Sequence, residues 1–180
     1  MIGSIIIRQE AAHDYNEIGQ LVKLAFNNVE ESNHKEHLLV EHLRLSDAYI
    51  PELSLVAETN NQKIIGHIML SKIKIIGTKS YYPALAVAPL SVLPEHQKMG
   101  IGKMLLQEAH KRAAQLCFGA ALLLGHKDYY PRFGYKKASS FGITFPFEAP
   151  DEYCMVKELK TGSLKGIHGV VQYPDVFFID

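Results

Sequence analysis

Two glycines separated by one residue stand where a hydrophobic stretch gives way to a helical pattern. The stretch reads SVLPEHQKMGIGKMLLQEAHKRA, and the glycines are Gly100 and Gly102. Glycine lets the backbone approach a ligand closely and adopt positive φ angles. The free N–H groups of a helix's first turn, with the positive end of its dipole, favour an anion, most often a phosphate. The spacing predicts a phosphate-binding loop, with Gln97, Lys98 and Lys103 beside the glycines.

Two common phosphate-binding motifs do not fit this loop. A P-loop requires GxxxxGK[ST], but Met104 follows Lys103, and no glycine stands at the required position upstream. A dinucleotide fingerprint requires a third glycine where Leu105 stands, and it opens a βαβ unit, whereas this loop follows the fourth predicted strand. A glycine-rich turn without any ligand is the remaining alternative, and the loop alone leaves that choice open.

The elements around the loop follow from hydrophobic periodicity and turn residues. Strands are predicted over residues 4–9, 53–58, 63–75, 84–94, 119–125, 142–147, 154–159 and 169–173. Helices are predicted after Asp14, which forms a capping box with Glu17, around residues 35–45, and from Ile101 to Leu116. The run GAALLLG is continuously apolar, which is typical of a strand covered on both faces. This order predicts a mixed α/β fold.

Composition bounds the function. The 180 residues, 47% apolar and 21% charged, predict one soluble domain over 1–180, with a core over about 4–160 and a C-terminal strand segment over 161–180. Nineteen basic residues balance nineteen acidic ones, so we expect neither nucleic acid nor an anionic membrane as a partner. No apolar run reaches 18 residues, so no membrane-spanning helix is expected.

Cysteine and histidine usage argues against a disulfide framework and a metal site. Cys117 and Cys154 lie far apart and form no CxxC, which predicts free thiols in a reducing compartment and hence a cytoplasmic protein. Of His34, His37 and His42, only the first two have the spacing of one helix face, and no cysteine supports them. We therefore expect no metal.

The glycine loop, together with the stretch DYYPRFGY after the fifth predicted strand, resembles the GNAT acetyltransferase superfamily. The acetyl-CoA motif of that family, Q/R-x-x-G-x-G/A, is matched by Gln97, Gly100 and Gly102. Its later aromatic-Tyr-x-x-x-Gly-aromatic motif is matched by Tyr129, Tyr130, Gly134 and Tyr135. The chain most resembles a branch of predicted acetyltransferases with YYPRFGF and FPFxxPDE, which read YYPRFGY and FPFEAPDE here. The resemblance covers most of the chain, because the order of elements also fits.

The resemblance implies a GNAT-like (acyl-CoA N-acyltransferase) fold, a single α/β domain with a mixed central sheet whose fourth and fifth strands splay apart. It implies acetyl-CoA as co-substrate and no metal. The acetyl-pantetheine arm would pair with the backbone of the fourth strand, and the pyrophosphate would lie on amides of residues 98–103. The implied cofactor-binding residues are Leu90, Ser91, Val92, Leu93, Gln97, Lys98, Met99, Gly100, Ile101, Gly102 and Lys103. The amide of Val92 would hold the thioester oxygen as charge develops.

The implied reaction is direct attack of an amine on the thioester. By resemblance the general acid is Tyr130, because a phenol is protonated at pH 7, whereas we expect Tyr129 to pack. No motif identifies the base. His126 is our first candidate, with a solvated loop histidine as the alternative, and His67 and Glu58 are weaker candidates. A non-catalytic acyl-CoA sensor or regulatory module is the alternative function.

The acceptor is open at this point. It is a small-molecule amine or a protein amine, and the resemblance implies that the first two helices and their connection line its site. Glu30, Glu31 and Glu36 there suggest a cationic acceptor, although a solvated charge run explains them as well. Exposed late strands could pair two copies into a homodimer.

Overall fold

The computed structural model of the chain describes residues 4–30 and 32–178, which form three α-helices and nine β-strands. The helices are α1 (Tyr15–Phe26), α2 (Glu36–Arg44) and α3 (Ile101–Gln115). The strands are β1 (Ile5–Gln9), β2 (Ser54–Thr59), β3 (Ile64–Ile76), β4 (Tyr81–Val92), β5 (Ala120–Leu124), β6 (Lys136–Lys137), β7 (Ile143–Thr144), β8 (Cys154–Glu158) and β9 (Gly169–Gln172). No helix in these residues is long and apolar enough to span a membrane.

The contacts of the chain cluster into two compact units. The first holds the described residues up to Leu70 together with Ala88–Arg112, and the second holds Ser71–Val87 and the described residues from Ala113 onward. β3, β4 and α3 each contribute residues to both. That the chain is one folding domain stays a prediction.

In the first unit, antiparallel β1 and β2 continue into β3 through a turn at residues 60–62. The helix α1 is amphipathic, and it buries Ile18, Leu21 and Val22 at helical spacing. The helix α2 buries Val40 and Leu43. Both helices are short, so their stability depends on packing these apolar faces against the rest of the unit.

In the second unit, β5 pairs antiparallel with β8, which also pairs with β6. β4 pairs parallel with β5 through Leu85 opposite Ala121 and Ala86 opposite Leu122. β4 continues to Val92, well beyond the two residue pairs that it forms with β5. β9 joins the outer part of β3 and also pairs with β7.

The strand order along the sheet is β1, β2, β3, β4, β5, β8, β6, with β9 beside β3 and β7 beside β9. The sheet is therefore mixed, and its parallel pairing of the fourth and fifth strands confirms the predicted GNAT-like fold class. The two-residue strand β6 lies directly after the DYYPRFGY stretch and was not predicted.

The predicted capping box at the start of α1 is wrong. The Asp14 side chain makes no cap hydrogen bond to α1. It accepts instead from the N–H of Ala11 at 2.7 Å and from the guanidinium of Arg8. Glu17 accepts from the N–H of Ile64 at 2.8 Å. A nearby guanidinium is a stronger partner for a carboxylate than a neutral amide, so the tertiary contact prevails over the local motif.

The buried face of α3 differs in part from the predicted stripe. Ile101, Leu105, Ala109 and Ala113 are buried as expected, but Met104 is exposed and Leu116 lies beyond the helix end. Leu106 is buried in their place. The neighbouring pair Leu105 and Leu106 widens the buried face, as on a helix lying against a sheet rather than forming a narrow seam.

Candidate functional site

The end of β4 presents a backbone edge. The N–H of Leu93, one residue beyond the strand, donates to the carbonyl of Ile65 in β3 at 3.0 Å. Because backbone N–H groups of an extended chain alternate in direction, the N–H of Val92 points away from β3. The side-chain amide of Gln97 donates to the carbonyl of Val92 at 3.2 Å. The amide of Leu93 is therefore used inside the sheet, whereas that of Val92 lies on the opposite edge.

The glycine loop has the backbone geometry of a tight turn into α3. Gly100 has a φ of +86°, and a Cβ added there would meet nothing within 4 Å. Lys98 also has a positive φ, of 62°, which is uncommon for a residue with a side chain. The residues from Gln97 to Gly100 are exposed. The loop thus opens to solvent at its glycine.

The first turn of α3 follows at once. Its first intrahelical hydrogen bond runs from the N–H of Met104 to the carbonyl of Gly100 at 3.0 Å. The N–H groups of Ile101, Gly102 and Lys103 precede it and have no carbonyl of the same helix to bond. With the helix dipole and the exposed ammonium of Lys103, this turn is suited to an anion.

The DYYPRFGY stretch forms a short 3-10 turn over Tyr130–Phe133 that ends at Gly134, whose φ of 86° is left-handed. The ring of Tyr130 meets Tyr129 edge to face, with centroids 5.0 Å apart, and Tyr135, with centroids 5.6 Å apart. Burial raises the pKa of the Tyr130 phenol well above its ordinary value, and the nearby phenol of Tyr129 raises it further. Tyr130 is therefore held as a neutral proton donor throughout the physiological pH range.

Gly125, at the end of β5, leaves room for the Tyr130 ring. A Cβ at this position would lie 2.3 Å from Cε2 of Tyr130. The sequence places Gly125 at the end of the run GAALLLG, and the contact with Tyr130 was not predicted. The available signal was a glycine directly after a buried strand and a few residues before two tyrosines, because glycine in such a place often marks close packing.

His126 lies between Gly125 and the turn. Its side chain is exposed, and its carbonyl accepts from the N–H of Tyr129 at 3.1 Å and of Tyr130 at 3.4 Å. Its backbone therefore helps to fix the turn, while its imidazole faces solvent, where an amine could reach it.

His67, the first of the weaker base candidates, is buried in the first unit. Its side chain has no exposed surface. Its Nε2 lies 3.1 Å from the hydroxyl of Ser54 and 3.3 Å from the carboxylate of Glu10. Burial lowers the pKa of His67, although the carboxylate of Glu10 acts in the opposite direction. A base must reach the amine it deprotonates, so this position argues against His67.

Glu10 is the centre of a buried polar cluster. Arg44 holds its carboxylate with two hydrogen bonds of 2.9 and 2.8 Å, and the hydroxyl of Tyr49 donates to it at 2.8 Å. Burial acts to raise the pKa of Glu10, but hydrogen bonds from His67 and Arg44 outweigh it and hold that pKa well below its usual range. The guanidinium of Arg44 also lies 3.9 Å from the ring centre of Tyr15. The carboxylate of Glu10 is thus paired and hydrogen-bonded, which is the condition for tolerating buried charge. Nδ1 of His67 at the same cluster is buried without a hydrogen-bond partner among the described residues.

Glu58, the other weaker candidate, forms an ion pair with Arg8, which also holds Asp14. Its side chain is largely buried. The guanidinium of Arg8 occupies this carboxylate, so it is not free to contact an amine. This position argues against Glu58 as well.

The acidic residues near the predicted acceptor site divide into three cases. Glu36, in the first turn of α2, accepts from the hydroxyl of Ser32 and so has a local structural partner. Glu30 is exposed, and Glu31 lies outside the described residues. Within the described residues, no group of three or more His, Cys, Asp or Glu side chains is placed to hold a metal ion.

Comparison with known proteins decides the family. A family model for the acetyltransferase (GNAT) domain matches residues 51–137. The uncharacterized N-acetyltransferase YjhQ of Escherichia coli K12 is 30% identical over 144 residues, which cover 78% of this chain and 79% of YjhQ. The chain belongs to the GNAT acetyltransferase family.

Two solved GNAT structures resemble this family member over nearly its whole length. A GNAT family acetyltransferase from Brucella melitensis, in complex with acetyl-CoA, has a TM-score of 0.77 and 32% identity, and the match covers 97% of this chain and 98% of that one. The Escherichia coli N-acetyltransferase YhbS, in complex with CoA, has a TM-score of 0.88 and 24% identity, and covers 99% of this chain and 94% of that one. The second match supports the fold alone.

Family membership makes this chain an N-acetyltransferase and confirms the resemblance drawn from the two motifs. The finer branch suggested by YYPRFGY stays a prediction. The implied cofactor-binding residues all belong to the first unit, whereas Tyr130 and His126 belong to the second. Their assignment to one reaction is therefore a proposal.

Proposed function

We propose that this GNAT acetyltransferase transfers the acetyl group of acetyl-CoA directly to a primary amine, with Tyr130 as the general acid. The observation that carries the proposal is the loop with positive φ at Lys98 and Gly100, open to solvent and leading into the first turn of α3. The complex of the Brucella relative with acetyl-CoA supports the choice of ligand.

Each part of the cofactor has a matching feature of this chain. The pyrophosphate is proposed to accept hydrogen bonds from the amides of residues 98–103, with the charges of Lys98 and Lys103 alongside. The pantetheine arm is proposed to pair with the backbone edge at Leu90 and Val92, while Ser91 between them directs its carbonyl towards β3. The amide of Val92, directed away from β3, is our candidate for holding the thioester oxygen. Leu93 is retained only for its side chain, because its N–H donates to Ile65 and its carbonyl accepts from the N–H of His96.

The reaction forms a C–N bond and breaks the C–S bond of the thioester. An amine with a pKa near 10.4 is neutral in roughly one molecule in 2,500 at pH 7, which amounts to about 4.6 kcal/mol. A base must address this, and His126 is our candidate because its imidazole is exposed. The ammonium first loses one proton to this base, which releases it to solvent, and the nitrogen loses a second proton to the base as the C–N bond forms. The electron pair of the C–S bond leaves with the sulfur.

The thiolate that departs is proposed to take a hydrogen bond, and finally a proton, from Tyr130. A thiol has an ordinary pKa of about 8.5, and burial raises the pKa of Tyr130 above that of an ordinary phenol. Complete proton transfer to the thiolate is therefore unfavourable in the resting site. Tyr130 therefore first stabilises the developing negative charge on the sulfur with a strong hydrogen bond. It then gives up its proton to the completed thiolate and regains one from solvent.

The proposed function is tested by binding and turnover with the same protein. Isothermal titration should give measurable affinity for acetyl-CoA and for CoA, within about tenfold of each other, and much weaker binding of pantetheine. Release of CoA thiol from acetyl-CoA should appear with at least one amine of a panel containing polyamines, aminoacyl amides and lysine peptides. CoA binding without thiol release from any amine would favour the alternative, a non-catalytic acyl-CoA sensor. No binding of CoA would overturn both.

The pH dependence follows from the state of Tyr130. A general acid works while it is protonated, and a raised pKa keeps the phenol protonated to higher pH. We expect kcat to rise with pH as the amine and its base lose protons, with no fall due to Tyr130 up to about pH 10. The measurement is a pH–rate profile of wild type and Tyr130→Phe. A falling limb below that pH that disappears in Tyr130→Phe would contradict the assignment.

The cellular location and the oligomeric state of the chain are also proposals. Cys117 and Cys154 are both free thiols, which supports the predicted cytoplasmic location. The acceptor is proposed to be a small-molecule amine or a protein amine. A homodimer is tested by light scattering of the purified chain.

A further inference from the structure

Gly66 is the third residue of β3 and contacts no ligand in the proposal above. A side chain at this position would meet the start of α3 and the end of β4. A Cβ built on Gly66 would lie 2.9 Å from Cγ2 of Ile101 and 2.9 Å from Cδ1 of Leu105. It would also lie 3.3 Å from the carbonyl oxygen of Ser91. Ile101 is the first residue of α3, and Ser91 belongs to the end of β4.

The neighbours of Gly66 differ in how easily they can move. Cδ1 of Leu105 is the tip of a flexible side chain and can turn aside. Cγ2 of Ile101 is attached directly to Cβ, and a β-branched side chain in a helix has one strongly preferred χ1 rotamer. Ile101 is also fully buried and cannot swing into solvent. An added methyl group at Gly66 would therefore displace the backbone of Ile101 rather than its side chain.

We infer that Gly66 is a positioning residue for the CoA site, whose lack of a side chain sets how closely the first turn of α3 approaches β3 and the end of β4. The inference rests on the proposed function, because it assigns that turn to the pyrophosphate and that strand end to the pantetheine arm. Gly66 acts through Ile101 and Ser91, so that both halves of the cofactor are held at one fixed separation.

The consequence of this geometry is a selective loss of cofactor affinity. Displacement of Ile101 moves its own N–H and those of Gly102 and Lys103 away from the pyrophosphate. Hydrogen bonds weaken steeply with poor geometry, and a misplacement of about 1 Å can cost on the order of 100-fold in rate or affinity. A shift of a few tenths of an ångström should weaken CoA binding by about tenfold.

The experiment is titration of CoA into Gly66→Ala, with steady-state kinetics in acetyl-CoA. We expect the Kd for CoA and the KM for acetyl-CoA to rise by about tenfold, with kcat within about threefold of wild type. A role confined to stability would instead lower the active fraction, and so lower the apparent kcat at unchanged KM. Unchanged Kd and KM in folded Gly66→Ala would overturn the inference.

The matched control is Gly119→Ala, which adds the same methyl group at another crowded glycine. A Cβ at Gly119 would lie 1.9 Å from the hydroxyl of Tyr82, within the second unit. This variant should lose thermal stability and keep the Kd of wild type for CoA. An equal loss of affinity in both variants would mean that the effect is general destabilisation, and would overturn the inference.

The link through Ile101 is tested by Ile101→Leu, which moves the branch away from Cβ and keeps the volume. In the double variant with Gly66→Ala, CoA affinity should return to within about threefold of Ile101→Leu alone, a non-additive result expected of residues in contact. If Gly66→Ala alone does not fold, the double variant is compared with Ile101→Leu alone. A tenfold loss of CoA affinity in that comparison would show that Gly66 does not act through Ile101. Wild type that fails to bind CoA would refute the proposed function itself, whereas wild-type binding with no effect at Gly66 refutes this inference alone.

Discussion

Replacing Tyr130 with phenylalanine should lower kcat for acetyl transfer by at least tenfold and by as much as about 10⁴-fold, the range typical of general acid catalysis. The substitution removes the hydroxyl and keeps the ring, so the edge-to-face contacts with Tyr129 and Tyr135 persist. The Kd for acetyl-CoA should barely change, because the thiolate that the hydroxyl assists exists only as the reaction proceeds. The measurements are steady-state kinetics with an amine from the acceptor panel and titration of acetyl-CoA.

Tyr129→Phe is the matched control for this prediction. Tyr129 is half-buried, packs against Tyr130 and Phe133, and has the guanidinium of Arg132 4.8 Å from its ring centre. These contacts depend on the ring, so loss of its hydroxyl should change kcat by less than about threefold. Full kcat in Tyr130→Phe would remove the residue from the mechanism. An equal loss in both variants would assign the effect to packing of the turn.

Replacing Gly100 with valine should raise the Kd for CoA by at least about tenfold, or 1.4 kcal/mol. The space around Gly100 is open, so the new side chain has no protein atoms to displace and instead occupies the volume proposed for the pyrophosphate. The positive φ of +86° also disfavours a β-branched residue and shifts the loop. Isothermal titration with CoA, together with circular dichroism of the variant, measures the effect.

Backbone strain has to be separated from loss of the ligand contact. Gly162 offers the matched control, because its φ is +78° and a Cβ there also meets nothing within 4 Å. Gly162→Val should lose thermal stability to a similar extent and bind CoA as wild type does. Unchanged affinity in a folded Gly100→Val, or equal weakening in both variants, would refute the location of the phosphate-binding loop.

Sequence reasoning succeeded where the relevant interactions are local. The loop before α3, the helical turn ended by Gly134 and the apolar run of β5 each depend on neighbours within a few residues, and all three are found in the structure. The family resemblance added the mixed central sheet, which no local pattern contains, and the structure shows that β4 and β5 pair in parallel within it.

The features that sequence reasoning missed depend on partners far along the chain. The carboxylate of Asp14 has the residue type and spacing for a cap, but Arg8 is a stronger partner. The roles of Gly66 and Gly125 depend on which side chain faces them across the fold, and the residue type alone cannot reveal that. His67 is buried beside Glu10 because β1, α2 and β3 come together in the fold, and its neighbours in the sequence do not reveal that burial.

The ion pair between Glu10 and Arg44 has a consequence for how members of this family could diverge. It joins the residue after β1 to the last residue of α2, and both side chains are almost fully withdrawn from water. The ion pair thus anchors the C-terminal end of α2, while α1 is anchored by the packing of its buried apolar face. The connection between the two helices is then an interchangeable segment, whose length and composition can vary without unfolding its flanks. The GNAT resemblance implies that this connection lines the acceptor site, and we propose that acceptor preference can change there while the glycine loop, elsewhere in the chain, stays the same.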